Sequence, residues 1–264
     1  MSEQDSPLAP ARAQGDGPAE IELEGVRQVF GDVLALDGVD LAVPRHGHLA
    51  VVGPSGGGKS TLLALVAGLL EPTGGSVRVG GERDPRGRLA RCALMPQKDL
   101  LLPWRSALDN ACLALENRGL RRAEARRRAR PLFGRLGLGG FERSRPDQLS
   151  GGMRQRVAFL RTLLADKEVL LLDEPFGALD SITRAQMQEW LAGALAMQPR
   201  TTVLVTHDVE EALLLADLVV VLSGRPGRVV RRLEAGLERG GPRREVVSTP
   251  GFVKAKQEIL EALE

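Results

Sequence analysis

LAVVGPSGGGKSTLLALVAGLL, residues 49–70, passes from an apolar run through a glycine-rich turn into a helical pattern. Leu49 to Val52 form a continuous apolar run, the mark of a strand covered on both faces, as in a parallel sheet flanked by helices. Gly53, Pro54, Ser55, Gly56, Gly57, Gly58, Lys59, Ser60 and Thr61 then match G-x-x-x-x-G-K-[S/T], in the strand-to-helix setting that this pattern requires. Glycines let the backbone curl until successive N–H groups point inward at an anion, and the helix start adds its partial positive charge. Lys59 is therefore expected to bridge the β- and γ-phosphates of a nucleoside triphosphate. Ser60 offers a hydroxyl to Mg²⁺, and Thr61 supports the α-phosphate side.

The same periodicity organises the rest of the chain. Val169–Leu172 and Thr202–Val205 are further continuous apolar runs. Helical patterns over Lys59–Leu70, Arg121–Leu136, Gly152–Leu164, Ser181–Ala196 and Val209–Ala216 alternate with the strands, which predicts a doubly wound α/β core with a mostly parallel sheet. Ile21–Val26 alternates apolar and polar residues, and Leu34–Val43 does so more loosely, so an antiparallel sheet is expected beside that core. No strand pattern is visible between about Lys98 and Gln148, which points to an inserted α-helical subdomain, about 98–160. Eight arginines between Arg118 and Arg135 read as a solvated helix face rather than as a nucleic-acid patch, because interleaved aromatics are missing.

Three polar positions close the apolar runs. Asp173 and Glu174 end the Val169–Leu172 strand, where ligands bind in open α/β sheets. Neighbouring strand residues point opposite ways, so Asp173 is the candidate for Mg²⁺ and Glu174 for polarising the water that attacks the γ-phosphate. His207 ends the Thr202–Val205 run and can reach the γ-phosphate from the same edge. Gln97 carries a neutral amide that can complete the metal shell. LSGGMRQR, residues 149–156, is a second anion-binding helix start, with Ser150, Gly151 and Gly152 at its opening.

Composition sets the outer bounds. The 264 residues suffice for a sizeable core, and a net charge of +2 gives no argument for a nucleic-acid partner. Residues 1–18 mix Pro, Gly, Ala and acids, and read as a disordered tail without a signal-peptide core. No apolar run reaches the roughly 20 residues that a bilayer needs. Cys92 and Cys112 lack metal-ligand spacing and read as free core thiols, an arrangement suited to the cytoplasm.

With these elements in this order, the chain resembles the ATP-binding cassette superfamily of transport ATPases from about Ile21 to Val230. GPSGGGKST is similar to its Walker A loop, Gln97 to its Q-loop, LSGGMRQR to its signature, VLLLDEP to its Walker B strand, Gly177–Asp180 to its D-loop and His207 to its switch histidine. The resemblance implies ATP and Mg²⁺ as cofactors, with Ser60, Gln97 and Asp173 around the metal and Glu174, His207 and Gln97 serving hydrolysis. Phe30 stands where the family has an aromatic stacked on adenine. The family also implies a head-to-tail dimer of two copies, in which Ser150, Gly151, Gly152 and Asp180 act in trans on the partner's ATP. Pro175–Asp180, Leu101–Trp104 and Arg225–Arg228 look like the nitrate/sulfonate/taurine importers. That subgroup implies an integral membrane permease docked near Gln97–Arg105, an extracytoplasmic solute-binding protein, and a place on the cytoplasmic face of the membrane. A soluble, non-transport ABC ATPase or a regulatory cassette is the alternative. The division expected is a tail over 1–18, an ATP-binding domain over 19–230 and a helical C-terminal extension over 231–264.

Overall fold

A computed structural model describes residues 19–197, 199–235 and 243–264. The tail assigned to 1–18 lies outside the described residues, as does the 236–242 stretch of the C-terminal extension. In chain order the first half contains β1 (Ala19–Phe30), β2 (Val33–Pro44), β3 (His48–Val52), α1 (Lys59–Val66), β4 (Gly74–Val79), α2 (Pro85–Arg91), β5 (Cys92–Met95), α3 (Ala107–Asn117) and α4 (Arg122–Arg135). There follow α5 (Gly151–Leu164), β6 (Val169–Asp173), α6 (Ser181–Met197), β7 (Thr201–Val205), α7 (Val209–Leu215), β8 (Leu218–Leu222), β9 (Val229–Glu234), α8 (Arg243–Val246) and α9 (Pro250–Leu263).

The continuous apolar runs are explained by what lies on each face of the strands. The central sheet has the order β5-β6-β7-β3-β8-β9, parallel except for β9. Side chains alternate across it: Leu49, Val51, Val169, Leu171, Val203 and Val205 enter one core, while Ala50 and Val52 enter a second and Leu170, Leu172 and Leu204 a third. Every position must therefore be apolar, because each face is buried. The first core is shared with the antiparallel sheet β2-β1-β4, and α1 lies within it, burying Leu62, Leu63, Leu65 and Val66. The α/β class with an antiparallel sheet at its side is thus observed. Helix α1 stops short of the expected Leu70, because Gly68 turns with φ +73° and a Cβ there would meet Pro85 O at 2.2 Å.

Helices α3, α4 and α5 pack on the opposite face of the sheet around Cys112, Phe133, Val157 and Phe159, and Phe159 meets Phe176 and Trp190 edge-on. Both cysteines are buried free thiols; burial pushes Cys92 up to about 12 and Cys112 up to about 11, so neither is a reactive thiolate. The arginine run is not wholly a solvated face. Arg122 and Arg126 project from α4 onto Asp109 of α3, each through Nε and Nη2, and Asp109 is only 4% exposed. The reason is a carboxylate at the α3–α4 seam, whose burial is tolerable only with charge-assisted partners.

One boundary at the C-terminus also differs from expectation. The sheet continues past residue 230, because β9 pairs with β8 as far as Glu234, so the extension does not begin as a helix. Helix α9 lays Phe252 and Ile259 against α7 and the outer face of β8, with Lys256 bonded to Glu210 and Arg231 to Glu258. Its amphipathic pattern serves core packing.

Asp109 yields a prediction. Burial alone pushes its carboxyl up, but hydrogen bonds from Arg126, Arg122 and Ser106 outweigh this and hold it well below the ordinary 3.8. A depressed carboxylate stabilises the fold fully above its unfolded value, and that contribution is lost as pH falls toward the folded value. Asp109→Asn should therefore lower unfolding free energy at neutral pH by about 1–3 kcal/mol. The difference from the unaltered chain should shrink below about pH 4, as read by urea unfolding across pH.

Candidate functional site

Four strand ends meet at one edge of the central sheet. The loop after β3, residues 53–58, opens α1; β6 ends in Asp173 and Glu174; β7 leads to His207; and Gln97 follows β5. Between them lies a cavity of about 320 Å³, lined by Phe30, Ser55, Lys59, Gln97, Glu174, His207 and Arg225 among others. Phe30 stands at its rim, 45% exposed, where β1 turns into β2.

The loop geometry requires glycine. Gly58 is the N-cap of α1 at φ +84°, and a Cβ there would lie 2.5 Å from Leu36 Cδ2 and 2.9 Å from Ala35 O. Gly57 backs onto the other side, where a Cβ would meet Ser223 O at 2.6 Å. Because α1 has no side-chain cap, its first-turn N–H groups remain for an anion. Lys59, 6% exposed, curls back to donate to Gly53 O and Pro54 O, both at 2.8 Å. Burial pulls its ammonium below the ordinary 10.5, and Glu174 and Asp173 oppose that pull.

Asp173 lies beneath the loop, 6% exposed, and accepts a hydrogen bond from Ser60. Burial raises its carboxyl above the ordinary 3.8 despite Ser60 and Lys59. Glu174 takes φ +48°, a left-handed backbone costing about 1–2 kcal/mol in a non-glycine residue. It is held there from several sides. Its N–H donates to Val205 O at 2.8 Å, and its carbonyl accepts from Gly177 N at 3.2 Å and Gln155 Nε2 at 3.3 Å. The carboxylate is shared: Gln97 Nε2 donates to Oε2 at 2.9 Å, and His207 Nε2 contacts Oε1. A carboxylate fixed in this way beside an anion-binding loop can orient a water and accept its proton. Since Gln97 spends its amide nitrogen on Glu174, its amide oxygen is left as a ligand. Ser60, Asp173 and Gln97 thus offer only hard oxygen donors, and a buried carboxylate disfavoured in its charged form is what a divalent cation reverses; the set fits Mg²⁺.

A family model described as ABC transporter matches residues 36–177 of the chain. The chain belongs to the ABC transporter family. The taurine import ATP-binding protein TauB of Pseudomonas syringae pv. tomato is 38% identical over 251 residues, covering 93% of this chain and 96% of that protein. The aliphatic sulfonates import ATP-binding protein SsuB 1 of Rhodococcus jostii is 48% identical over 203 residues, 77% of this chain and 79% of that protein. Among solved structures, the dimeric post-hydrolysis state of the ATP-binding cassette MJ0796 bound to ADP and Pi matches with a TM-score of 0.75 at 29% identity. The match covers 81% of this chain and 98% of that one. The protein is accordingly an ATP-binding ATPase cassette.

Ser150, Gly151, Gly152 and Asp180 do not line the cassette's own cavity. Ser150 caps α5, its Oγ accepting from Met153 N at 3.2 Å, so its proton remains available to an anion on the outer side. Gly152 packs on the D-loop, where a Cβ would stand 3.0 Å from Leu179 Cδ2. Asp180 caps α6 by accepting from Thr183 N at 2.9 Å and Thr183 Oγ1 at 2.7 Å. Signature and D-loop therefore form one continuous surface.

Sequence reasoning missed the groups that tie this surface to the cavity. Arg154 donates to Asp99 Oδ2 at 3.0 Å and to Leu149 O at 2.9 Å. Arg161 holds Leu100 O and Asp99 O, and buried Asn110 fastens Leu102, Arg105 and Ser106. The segment after Gln97 is pinned to α5 and α3 while Leu100 and Trp104, 60% and 70% exposed, face outward; Trp104 is not core.

Gly58→Ala should destabilise the fold by about 1–3 kcal/mol and abolish measurable ATP binding, as read by urea unfolding and a nucleotide titration. An unchanged ATP affinity would contradict the role given to the loop backbone.

Proposed function

We propose that this cassette powers a bacterial importer of small sulfonate or taurine-type solutes, with two copies closing head to tail over two ATP molecules. What carries the reading is the Glu174 carboxylate, held between Gln97 and His207 at the mouth of the phosphate loop. The solute class rests on the similarity to the taurine and sulfonate import proteins.

In this reading the triphosphate lies along residues 53–61, with adenine against Phe30, and Lys59 leaves the carbonyls of Gly53 and Pro54 for the β- and γ-phosphates. Ser60, Asp173 and Gln97 hold Mg²⁺, which when bound offsets phosphate charge and keeps Asp173 ionised. Glu174 orients a water in line with the γ-phosphorus and takes its proton as the new P–O bond forms and the bond to the β–γ bridging oxygen breaks. His207 steadies both the carboxylate and the γ-phosphate. The partner copy supplies Ser150 and the N–H groups of Gly151 and Gly152 to the same phosphate, and its Asp180 borders the site. ATP therefore joins the two copies, and loss of the γ-phosphate releases them.

The outward-facing Leu100 and Trp104 suit the docking of a cytoplasmic permease helix, and Asp99, Arg154 and Asn110 give that platform its rigidity. Among the described residues no helix is long and apolar enough to cross a membrane. By its similarity to importer ATP-binding proteins the cassette is peripheral, on the cytoplasmic face, and depends on permease subunits for its place there. An extracytoplasmic solute-binding protein delivers the solute.

Glu174→Gln keeps the shape of the side chain but cannot accept a proton. Its phosphate release should fall by about 10²–10⁴-fold, with ATP affinity retained and a stable dimer appearing in ATP by light scattering. Turnover at the unaltered rate would remove Glu174 from the chemistry.

A further inference from the structure

Arg225 lines the nucleotide cavity, yet neither the loop-and-helix anion site nor the hydrolytic cluster uses it. Its guanidinium lies against the phosphate loop, with Nη2 3.8 Å from where a Cβ of Gly56 would stand. Among the described residues it has no hydrogen-bond or ion-pair partner. Arg228 makes the contrast: it is engaged with Asp37 Oδ2 through Nε at 3.0 Å and Nη2 at 2.6 Å.

The loop that carries Arg225 is built as a fixed shelf. Ser223 N donates to Arg228 O at 2.9 Å, Ser223 Oγ donates to Pro226 O at 2.8 Å, and Arg228 N donates to Ser223 Oγ at 2.9 Å. Gly227 N donates to Ala35 O and Asp37 N to Gly227 O, which sews the shelf to β2. Gly227 also presses on the phosphate loop, since a Cβ there would meet Gly57 O at 2.2 Å. These bonds fix the backbone that carries Arg225 beside the loop's N–H groups and leave its guanidinium exposed and unengaged.

We propose that Arg225 is a phosphate-binding residue of this site, pairing with the phosphate chain of the nucleotide where it passes Gly56. The proposal rests on the nucleotide reading above. Lys59 alone is a point charge facing two carboxylates, Asp173 and Glu174, whereas a planar guanidinium can bond two phosphate oxygens at once. Because the backbone of the shelf is already ordered, only the side chain of Arg225 has to be fixed when the nucleotide arrives.

The test is a titration of the full-length chain with ATP, ADP and adenosine, for the unaltered protein, Arg225→Ala and Arg225→Lys. Arg225→Ala should weaken ATP and ADP about tenfold or more and leave adenosine unchanged, and Arg225→Lys should recover only part of the loss. The nucleotide-free melting temperature should not move, since the side chain has no partner to lose. Equal ATP affinity in Arg225→Ala and the unaltered chain would overturn the proposal and leave the nucleotide reading standing. So would an equal loss for adenosine, or a defect confined to dimer closure. No ATP binding by the unaltered chain would overturn both.

Discussion

The site depends on a contact between bare backbones. Residues 53–58 can curl around an anion only because neighbouring backbone comes closer than any side chain would allow: the Ala35 carbonyl of β2 against Gly58, the Ser223 carbonyl against Gly57, and Gly227 against the Gly57 carbonyl. Each approach is shorter than a Cβ tolerates, so glycine is required by space at all three positions, and by torsion as well at Gly58, where φ is +84°. The consequence reaches past the loop. The antiparallel sheet, which supplies Phe30, and the turn after β8, which supplies Arg225, are both seated on the phosphate loop itself, so the Phe30 end and the Arg225 end of the cavity share one floor.

Glu174 is the second point of convergence. Its left-handed backbone would relax if left alone, but Val205, Gly177 and Gln155 fix the main chain while Gln97 and His207 fix the carboxylate. The outlier thus sits where four segments of chain meet: β6, the switch strand, the signature helix and the segment after β5. The strain persists because these partners together offset it, and it sets the carboxylate before substrate arrives.

Much of this was legible in the sequence because it follows from short-range rules. The continuous apolar runs gave the buried parallel strands, the polar residues ending them gave Asp173, Glu174 and His207, and Ser150 followed by two glycines gave a capped helix start. Other features need partners distant in sequence. Strand β4 begins with two glycines and shows no run of its own; it is a strand because β1 pairs with it across some fifty residues. Strand β5 has only four residues, and β9 alternates weakly at a sheet edge. Nothing local distinguishes Arg122 and Arg126 from their six neighbours; Asp109 on another helix does. The arginine at 225 reads as part of a turn until that turn is seen against Gly56 and Gly57.

The signature helix shows why such long-range ties matter for a machine made of two copies. Its N-terminus faces outward with Ser150 as cap, while its inner side is bound to Glu174 through Gln155 and to the segment after Gln97 through Arg154 and Arg161. A helix of fourteen residues transmits displacement along its length with little loss, since its backbone bonds are internal. In the proposed dimer, movement of the platform that bears Leu100 and Trp104 would be shared by Asp99, by α5 and by the Ser150 end of that helix. The same helix touches the backbone of Glu174 in its own site, so in the proposed dimer the carboxylate assigned to hydrolysis and the helix start assigned to the partner's ATP are two ends of one element. In the proposed assembly no separate relay is needed, since this one helix is bonded to Asp99 of the platform and to the backbone of Glu174, and its capped end is the one that would meet the partner.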